Sequence, residues 1–202
     1  MLGSSVKLGE ALGALAAGHI CFSGFGIVAA AVARRPERPE RPTRPSTDGH
    51  TAASHQALTK VVTSMYGGTG LDASACAHDV TFTDPAACCA GTSEVVEAFR
   101  ALAAACRPEH IEPPLRLRTE RHAGLDCTEF FLHQRYFRDT MLLPRGLEVR
   151  SVLVVHTDAD TGRVRAFEER WNGAPLLQWV PFRWARRING MLSSFVTPYV
   201  AR

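Results

Sequence analysis

The chain has 202 residues, of which 46% are hydrophobic and 21% charged, and its formal net charge is +3. This length suits one domain with an additional segment, and the composition excludes a wholly disordered or collagen-like chain. The weak positive charge gives no support for a nucleic-acid partner.

The cysteines and the missing motifs limit the chemistry further. Cys88 and Cys89 are adjacent, and no Cys-x-x-Cys pair occurs among the six cysteines. Adjacent cysteines have a poor geometry for a mutual disulfide, so we expect reduced thiols and no metal site. The chain also lacks a glycine-rich phosphate loop, and we predict no cofactor.

The N-terminal segment, residues 1–33, is predicted to be an apolar helix. Residues 11–33 carry no formal charge, and as a helix they would extend about 34 Å, enough to cross a bilayer. A membrane anchor followed by arginines would place the domain on the cytosolic, stromal or matrix side. The alternatives are a cleaved targeting segment of an organelle-targeted soluble protein, with Ala31-Val32-Ala33 as a small-residue cleavage site, and a helix docked on the domain.

A Pro/Arg-rich linker follows at residues 34–49. Residues 36–45 read PERPERPTRP, with proline at every third position. This is the period of polyproline II, so we predict a stiff basic spacer about 30 Å long.

A folded domain is predicted at residues 50–173, and it opens with helices. Apolar residues at helical spacing predict a helix from Ser54 that ends at Gly67-Gly68. A short helical turn at residues 72–76 precedes a strand at 79–85. A second helix follows at residues 94–106, with Thr92 or Ser93 as the expected N-cap.

Four strand-like runs complete the domain. They are residues 115–121, 127–138, 147–157 and 164–171, and the last two are joined by a turn at 158–162 that predicts an antiparallel hairpin. Helices followed by a meander predict an α+β fold, in which a curved antiparallel sheet carries the helices on one face.

Residues 71–102, LDASACAHDVTFTDPAACCAGTSEVVEAFRAL, resemble the SnoaL-like branch of the nuclear transport factor 2 superfamily. The segments FEERWNG at 167–173 and RRING at 186–190 are similar to those of an uncharacterised eukaryotic subgroup. The resemblance implies a cone-shaped fold with an apolar pocket between helices and sheet. The superfamily includes isomerases, cyclases, dehydratases and non-catalytic binding domains, so the fold does not decide the function.

The alternation of the strands predicts which residues line this pocket. A hairpin with His156 opposite Val164 places the odd-numbered residues from 149 to 155 and from 165 to 171 on one face, and that face is the more apolar. We therefore expect the pocket to be lined by Phe130, Tyr136, Leu153, Phe167 and Trp171.

Two carboxylates are candidates for catalysis. Glu169, beside Trp171, would lie in an apolar wall that raises its pKa, and Asp84 would lie at the rim of the pocket. Each has a structural alternative. Glu169 could form a surface ion pair with a neighbouring arginine, and Asp84 could accept hydrogen bonds from its own backbone in the turn at Pro85. His133 or His156 could also serve as a base.

The C-terminal extension, residues 174–202, is amphipathic. We assign Trp179, Trp184, Arg186 and Arg187 to a membrane interface, because tryptophan and arginine beside apolar residues suit that environment. The alternative is an extension that packs across the sheet or forms a dimer contact.

Three functions follow from these features. The first is a membrane-proximal pocket domain that binds a small lipophilic ligand or a protein partner. The second is a cofactor-free isomerase or cyclase that uses a pocket carboxylate, and the third is a dimeric assembly module. Because no stronger catalytic motif is present, the sequence favours binding over catalysis.

Overall fold

The computed structural model describes residues 52–67, 70–136, 146–171 and 183–192. The predicted N-terminal anchor, the Pro/Arg linker and Trp179 lie outside these residues. Within the described ranges, no helix has the length and apolar character needed to span a bilayer.

Two long helices form the helical layer. Helix α1 spans Ala52–Tyr66, and helix α2 spans Thr92–Cys106. A short 3₁₀ turn, Ala73–Ala75, lies between them, as the sequence predicted. The expected N-cap of α2 is wrong: Gly91 occupies that position with a positive φ of 84°, and the Thr92 hydroxyl instead donates towards backbone carbonyls of the preceding strand.

The sheet has six strands in the order β2-β1-β6-β5-β4-β3. Their bounds are Cys76–Thr83 for β1, Cys88–Ala90 for β2, Glu109–His122 for β3, Leu125–Tyr136 for β4, Leu147–Asp158 for β5 and Val164–Trp171 for β6. Strands β3 to β6 form the predicted antiparallel meander. Strand β1 pairs parallel with β6 and antiparallel with β2, and neither this parallel pair nor strand β2 was predicted. The α+β class with a curved, unclosed sheet is confirmed.

The register of the last hairpin differs from the prediction by two residues. His156 lies opposite Ala166 rather than Val164, and a bulge follows before the next pair. Because successive strand residues point to opposite faces, a shift of two leaves the faces unchanged. The predicted inner face is therefore buried from Val149 to Val155 and from Phe167 to Trp171, whereas Arg165 lies exposed.

The hydrophobic core lies between this inner face and the two long helices. Phe99 of α2 is central to it, with its ring centroid 5.4 Å from that of Tyr66 and 4.9 Å from that of Phe82. A second, smaller group of buried apolar side chains lies towards one end of the sheet and consists of Ala86, Cys106, Tyr136, Val149 and Trp171. The polar side chains described below lie beside this smaller group.

Candidate functional site

Glu169 is a fully buried carboxyl group on β6. Only 2% of the residue is exposed. The Tyr66 hydroxyl donates to Oε2 at 2.7 Å, and the Ser151 hydroxyl donates to Oε1 at 2.7 Å. Burial raises the pKa of Glu169 despite these hydrogen bonds, which act in the opposite direction. Both oxygens are thus held by side chains of the fold.

The surface ion pair considered for Glu169 does not form. Arg165 pairs with Asp79 and Asp158, and Arg170 pairs with Glu168. These arginines lie away from the buried carboxyl group, so Glu169 is one of the few buried acidic side chains in the described ranges.

Asp84 is a second buried carboxyl group, placed where β1 ends before Pro85. Its Oδ1 accepts hydrogen bonds from the backbone N–H groups of Ala86, at 2.7 Å, and of Ala87. This confirms the predicted turn role. The residue retains 9% exposure, and its Oδ2 accepts no hydrogen bond from the described part of the chain. The turn therefore holds one oxygen and leaves the other available.

The pKa of Asp84 is raised to about 7. Burial is the main cause, and the negative charge of Glu169 is the second. The two backbone hydrogen bonds and the positive charge of Arg186 oppose this increase. Two acidic groups that share a low-dielectric interior do not both ionise readily, so the pair retains a proton near neutral pH. Of the two carboxyl groups, Asp84 is the one with an oxygen, Oδ2, that can exchange this proton with a bound molecule.

Two buried hydrogen-bond donors lie on the same inner face. Gln134 accepts a 2.8 Å hydrogen bond from the Tyr136 hydroxyl through Oε1, but its Nε2 has no partner among the described residues. The Trp171 indole acts to lower the pKa of Glu169, yet no hydrogen bond of normal geometry joins its Nε1 to a described residue. A buried donor without a partner costs about 1–3 kcal/mol, so these two groups offer unused binding capacity.

The five predicted pocket residues are all buried, but they divide into two places. Phe130, Leu153 and Phe167 belong to the main core beneath the helices. Tyr136 and Trp171 belong to the smaller group. The second set lies beside the unpartnered donors, so we place the candidate ligand-binding region there.

The two histidines considered as bases lie elsewhere. His133 contacts Glu112 at 3.4 Å and Glu148 at 3.5 Å on the outer face of the sheet. His156 is half-buried and lies opposite Ala166 on that same outer face. Neither histidine joins the inner carboxyl groups.

A third helix, α3, covers the turn that carries Asp84. It spans residues 183–192. The Asn189 side chain donates to the Ala86 carbonyl at 3.0 Å, and Arg187 donates to both carboxylate oxygens of Glu94 at 2.6 and 3.0 Å. Gly190 approaches the Cys88 carbonyl so closely that a Cβ atom would lie 2.2 Å from its oxygen. The C-terminal extension therefore packs on the domain in this region.

This packing changes two of the assignments made to a membrane interface. Arg186 is buried and its charge acts on Asp84, while Arg187 is engaged by Glu94. Arg186 therefore faces the domain, whereas Arg187 is half-buried beside it. Trp184 is exposed, as an interfacial residue must be.

Sequence reasoning missed three contributors to the site. Tyr66 is the last residue of α1, and it was not singled out from the sequence. Ser151 and Gln134 were on the predicted inner face, but short polar residues in strands carry no distinctive signal. A polar residue at an inward-facing strand position was the one available indication.

No protein-family model matches the chain, and a search of the curated proteins finds no match. Among solved structures, the chain is similar to an NTF2-like protein from Anabaena variabilis, with 12% identity and a TM-score of 0.45 over 66% of this chain and 96% of the other. It is also similar to a putative polyketide cyclase from Pseudomonas putida, with 15% identity and a TM-score of 0.40 over 65% and 98%.

A third similar structure is a protein with a ketosteroid isomerase-like fold from Catenulispora acidiphila, in complex with trimethylamine. Its identity is 14%, its TM-score is 0.41, and the match covers 60% of this chain and 86% of the other. At such values these similarities concern the general fold, and the function is argued below from this chain's own side chains.

Proposed function

We propose that this chain is a pocket domain that binds a small lipophilic molecule, with a polar group of that molecule directed to Asp84. The observation that supports this most directly is the available Oδ2 of a buried aspartate beside Tyr136 and Trp171. Apolar walls with a few convergent polar groups are typical of small-molecule sites.

The polar groups define what the ligand must offer. Gln134 Nε2 and Trp171 Nε1 are donors without partners among the described residues, so they suit an acceptor such as a carbonyl or ether oxygen. Asp84 accepts a hydrogen bond when ionised and donates one when protonated. A compact, mostly apolar molecule with one or two oxygen atoms fits this set.

Native mass spectrometry of the full chain, followed by organic extraction, tests this proposal. We expect a small molecule that copurifies reproducibly with the wild-type protein and is lost from Asp84→Asn. Asp79→Asn is the matched control, because Asp79 lies on β1, the strand that ends just before Asp84, but is exposed. Equal retention by both variants, or no bound molecule in the wild type, would contradict the proposal.

A second candidate function is cofactor-free proton transfer, of the isomerase or cyclase type. A pKa of about 7 lets Asp84 accept and release a proton near neutral pH, which is the condition for general acid–base catalysis. Glu169 would then be a positioning residue, because its two oxygens already accept hydrogen bonds from Tyr66 and Ser151.

Deuterium exchange separates catalysis from binding. When the extracted molecule is incubated with the protein in D₂O, catalysis predicts incorporation of deuterium at one carbon, and Asp84→Asn abolishes it. If the wild type binds the molecule without exchange, the proposal of proton transfer is wrong and ligand binding stands. Glu169→Gln should alter the pH profile of exchange while retaining part of the rate.

The finer assignments remain proposals as well. We assign the chain to the SnoaL-like branch, and to the uncharacterised eukaryotic subgroup, on the motifs in residues 71–102, 167–173 and 186–190. A membrane-proximal location on the cytosolic, stromal or matrix side is supported by the uncharged run at residues 11–33 and the arginines that follow it.

A further inference from the structure

Helix α3 turns an apolar face outwards. Trp184 is 67% exposed, Ile188 54% and Met191 42%, and in the described ranges these are the large hydrophobic residues that lie exposed. Their spacing of four and three residues places them on one side of a helix, in a row about 10 Å long. We call these three residues the outer row.

The orientation of the helix is fixed by its inner face. Asn189 and Arg187 bind the Ala86 carbonyl and the Glu94 carboxylate, and Gly190 fits against the backbone of Cys88. A rotation that buried Trp184 would break these contacts and place a larger side chain where only glycine fits. Polar side chains therefore face the domain and apolar side chains face outwards, the reverse of an ordinary surface helix.

The area of the outer row is too small for a stable protein interface. With aromatic side chains contributing about 150–250 Å² and the two aliphatic ones less, the exposed part amounts to roughly 300–400 Å². A stable interface buries about 800 Å² on each partner. A narrow apolar row led by a tryptophan is instead suited to shallow insertion at the surface of a bilayer.

The charge beside the outer row favours the same occupant. Arg183 is exposed one residue before Trp184, and no described residue pairs with it. Basic residues next to an apolar row attract anionic lipid headgroups.

From these observations we propose that the outer row of α3 docks on an anionic lipid bilayer, with Trp184, Ile188 and Met191 inserted at the interface and Arg183 at the headgroups. The proposal does not depend on the ligand proposed above. Because α3 also covers the Asp84 turn, docking would bring that turn close to the lipid surface.

Quenching of tryptophan emission by brominated lipids tests this contact in the full chain. All variants share residues 1–33, so any membrane binding by that segment is the same in each. With vesicles of phosphatidylcholine and about one quarter phosphatidylserine, we expect strong quenching of tryptophan emission in the wild type. Trp184→Phe should remove the larger part of it. The double substitution Ile188→Ser and Met191→Ser should reduce quenching while Trp184 is still present, since the row then no longer inserts.

Charge-matched variants test the role of the headgroups. Arg183→Glu should weaken the quenching on anionic vesicles severalfold. Arg163→Glu makes the same change in charge at an exposed residue before the other end of β6, and it should leave the quenching unchanged. Equal quenching of the wild type and Trp184→Phe would overturn the proposal. A lipid-free dimer in analytical ultracentrifugation that Trp184→Ser dissociates would overturn it too, and would assign the outer row to a second copy of the chain.

Discussion

The substitution Asp84→Asn should stabilise the protein, and the effect should grow with pH. The pKa of Asp84 rises from an ordinary value of 3.8 to about 7 on folding. Between these values the folded state holds a proton that the unfolded state has released, so the free energy of unfolding decreases as pH rises. At about 1.36 kcal/mol per pH unit, the interval corresponds to a loss of about 4 kcal/mol.

Asparagine avoids this loss because it carries no charge at any pH. Its Oδ1 can still accept the two backbone hydrogen bonds from Ala86 and Ala87 that hold the turn. Asp84→Asn should therefore have nearly wild-type stability at pH 4 and exceed the wild type by up to about 4 kcal/mol at pH 8. Part of this gain depends on Glu169, whose charge contributes to the raised pKa.

Urea unfolding of the wild type and the variant at several pH values measures the effect. Asp79→Asn is the control for the same chemical change on the exposed side of β1, and it should alter stability by less than about 0.5 kcal/mol. The reasoning fails if Asp84→Asn is destabilised by the same amount at pH 4 and pH 8. In that case the pKa of Asp84 would be the same in the folded and the unfolded state.

Two further predictions concern the contacts around this site. Tyr66→Phe removes the hydroxyl that donates to Glu169, so it should lower the free energy of unfolding by about 1–3 kcal/mol in urea titrations; an unchanged midpoint would mean that water replaces the hydroxyl. Gly190→Ala places a methyl group against the Cys88 carbonyl and should cost about 1–3 kcal/mol. It should also speed hydrogen exchange at residues 183–192, and wild-type protection there would contradict the packing of α3.

The sequence was sufficient for the elements with a clear period. Strand β6 has the predicted bounds, Val164–Trp171, because alternation, a turn at one end and aromatic residues agree there. The inner face of β5 and β6 was also predicted correctly, since a register error of two residues does not move a side chain to the other face. Glu169 could therefore be placed in the interior from sequence alone.

Strand β2 and its neighbours could not be predicted for a different reason. Three residues, Cys88–Ala90, are too short to show a period, and their place at the sheet edge depends on the turn that Asp84 binds. The parallel pairing of β1 with β6 joins segments far apart in the chain. Local patterns contain no information about such pairs, which are decided by tertiary packing.

The orientation of α3 was also beyond the sequence. An amphipathic pattern normally predicts that the apolar side packs inwards. In α3 the polar side packs inwards instead, because Glu94 and the Ala86 carbonyl bind its polar side chains and Gly190 permits close approach to β2. The burial of Arg186 could not be predicted because the turn that carries Asp84 is far from it in sequence.

The outer face of the sheet bears on the third function, a dimeric assembly module. Arg118 pairs with Glu129 at 2.8 Å, and Arg170 pairs with Glu168 at 2.8 Å. Charged pairs on a sheet face are solvated in the monomer, and burying them in a dimer would cost their hydration. The apolar surface that an assembly module requires is therefore interrupted on this face.

The buried carboxyl groups argue that the interior does more than stabilise the fold. Two acidic groups in a low-dielectric core cost stability, and replacing buried charges with apolar side chains often makes proteins more stable. Glu169 at least receives hydrogen bonds at both oxygens from Tyr66 and Ser151. Asp84 does not: its turn satisfies Oδ1 alone, and Arg186 on α3 acts to keep the group ionisable. A turn needs only one such oxygen, so the other is available for the ligand contact that we propose.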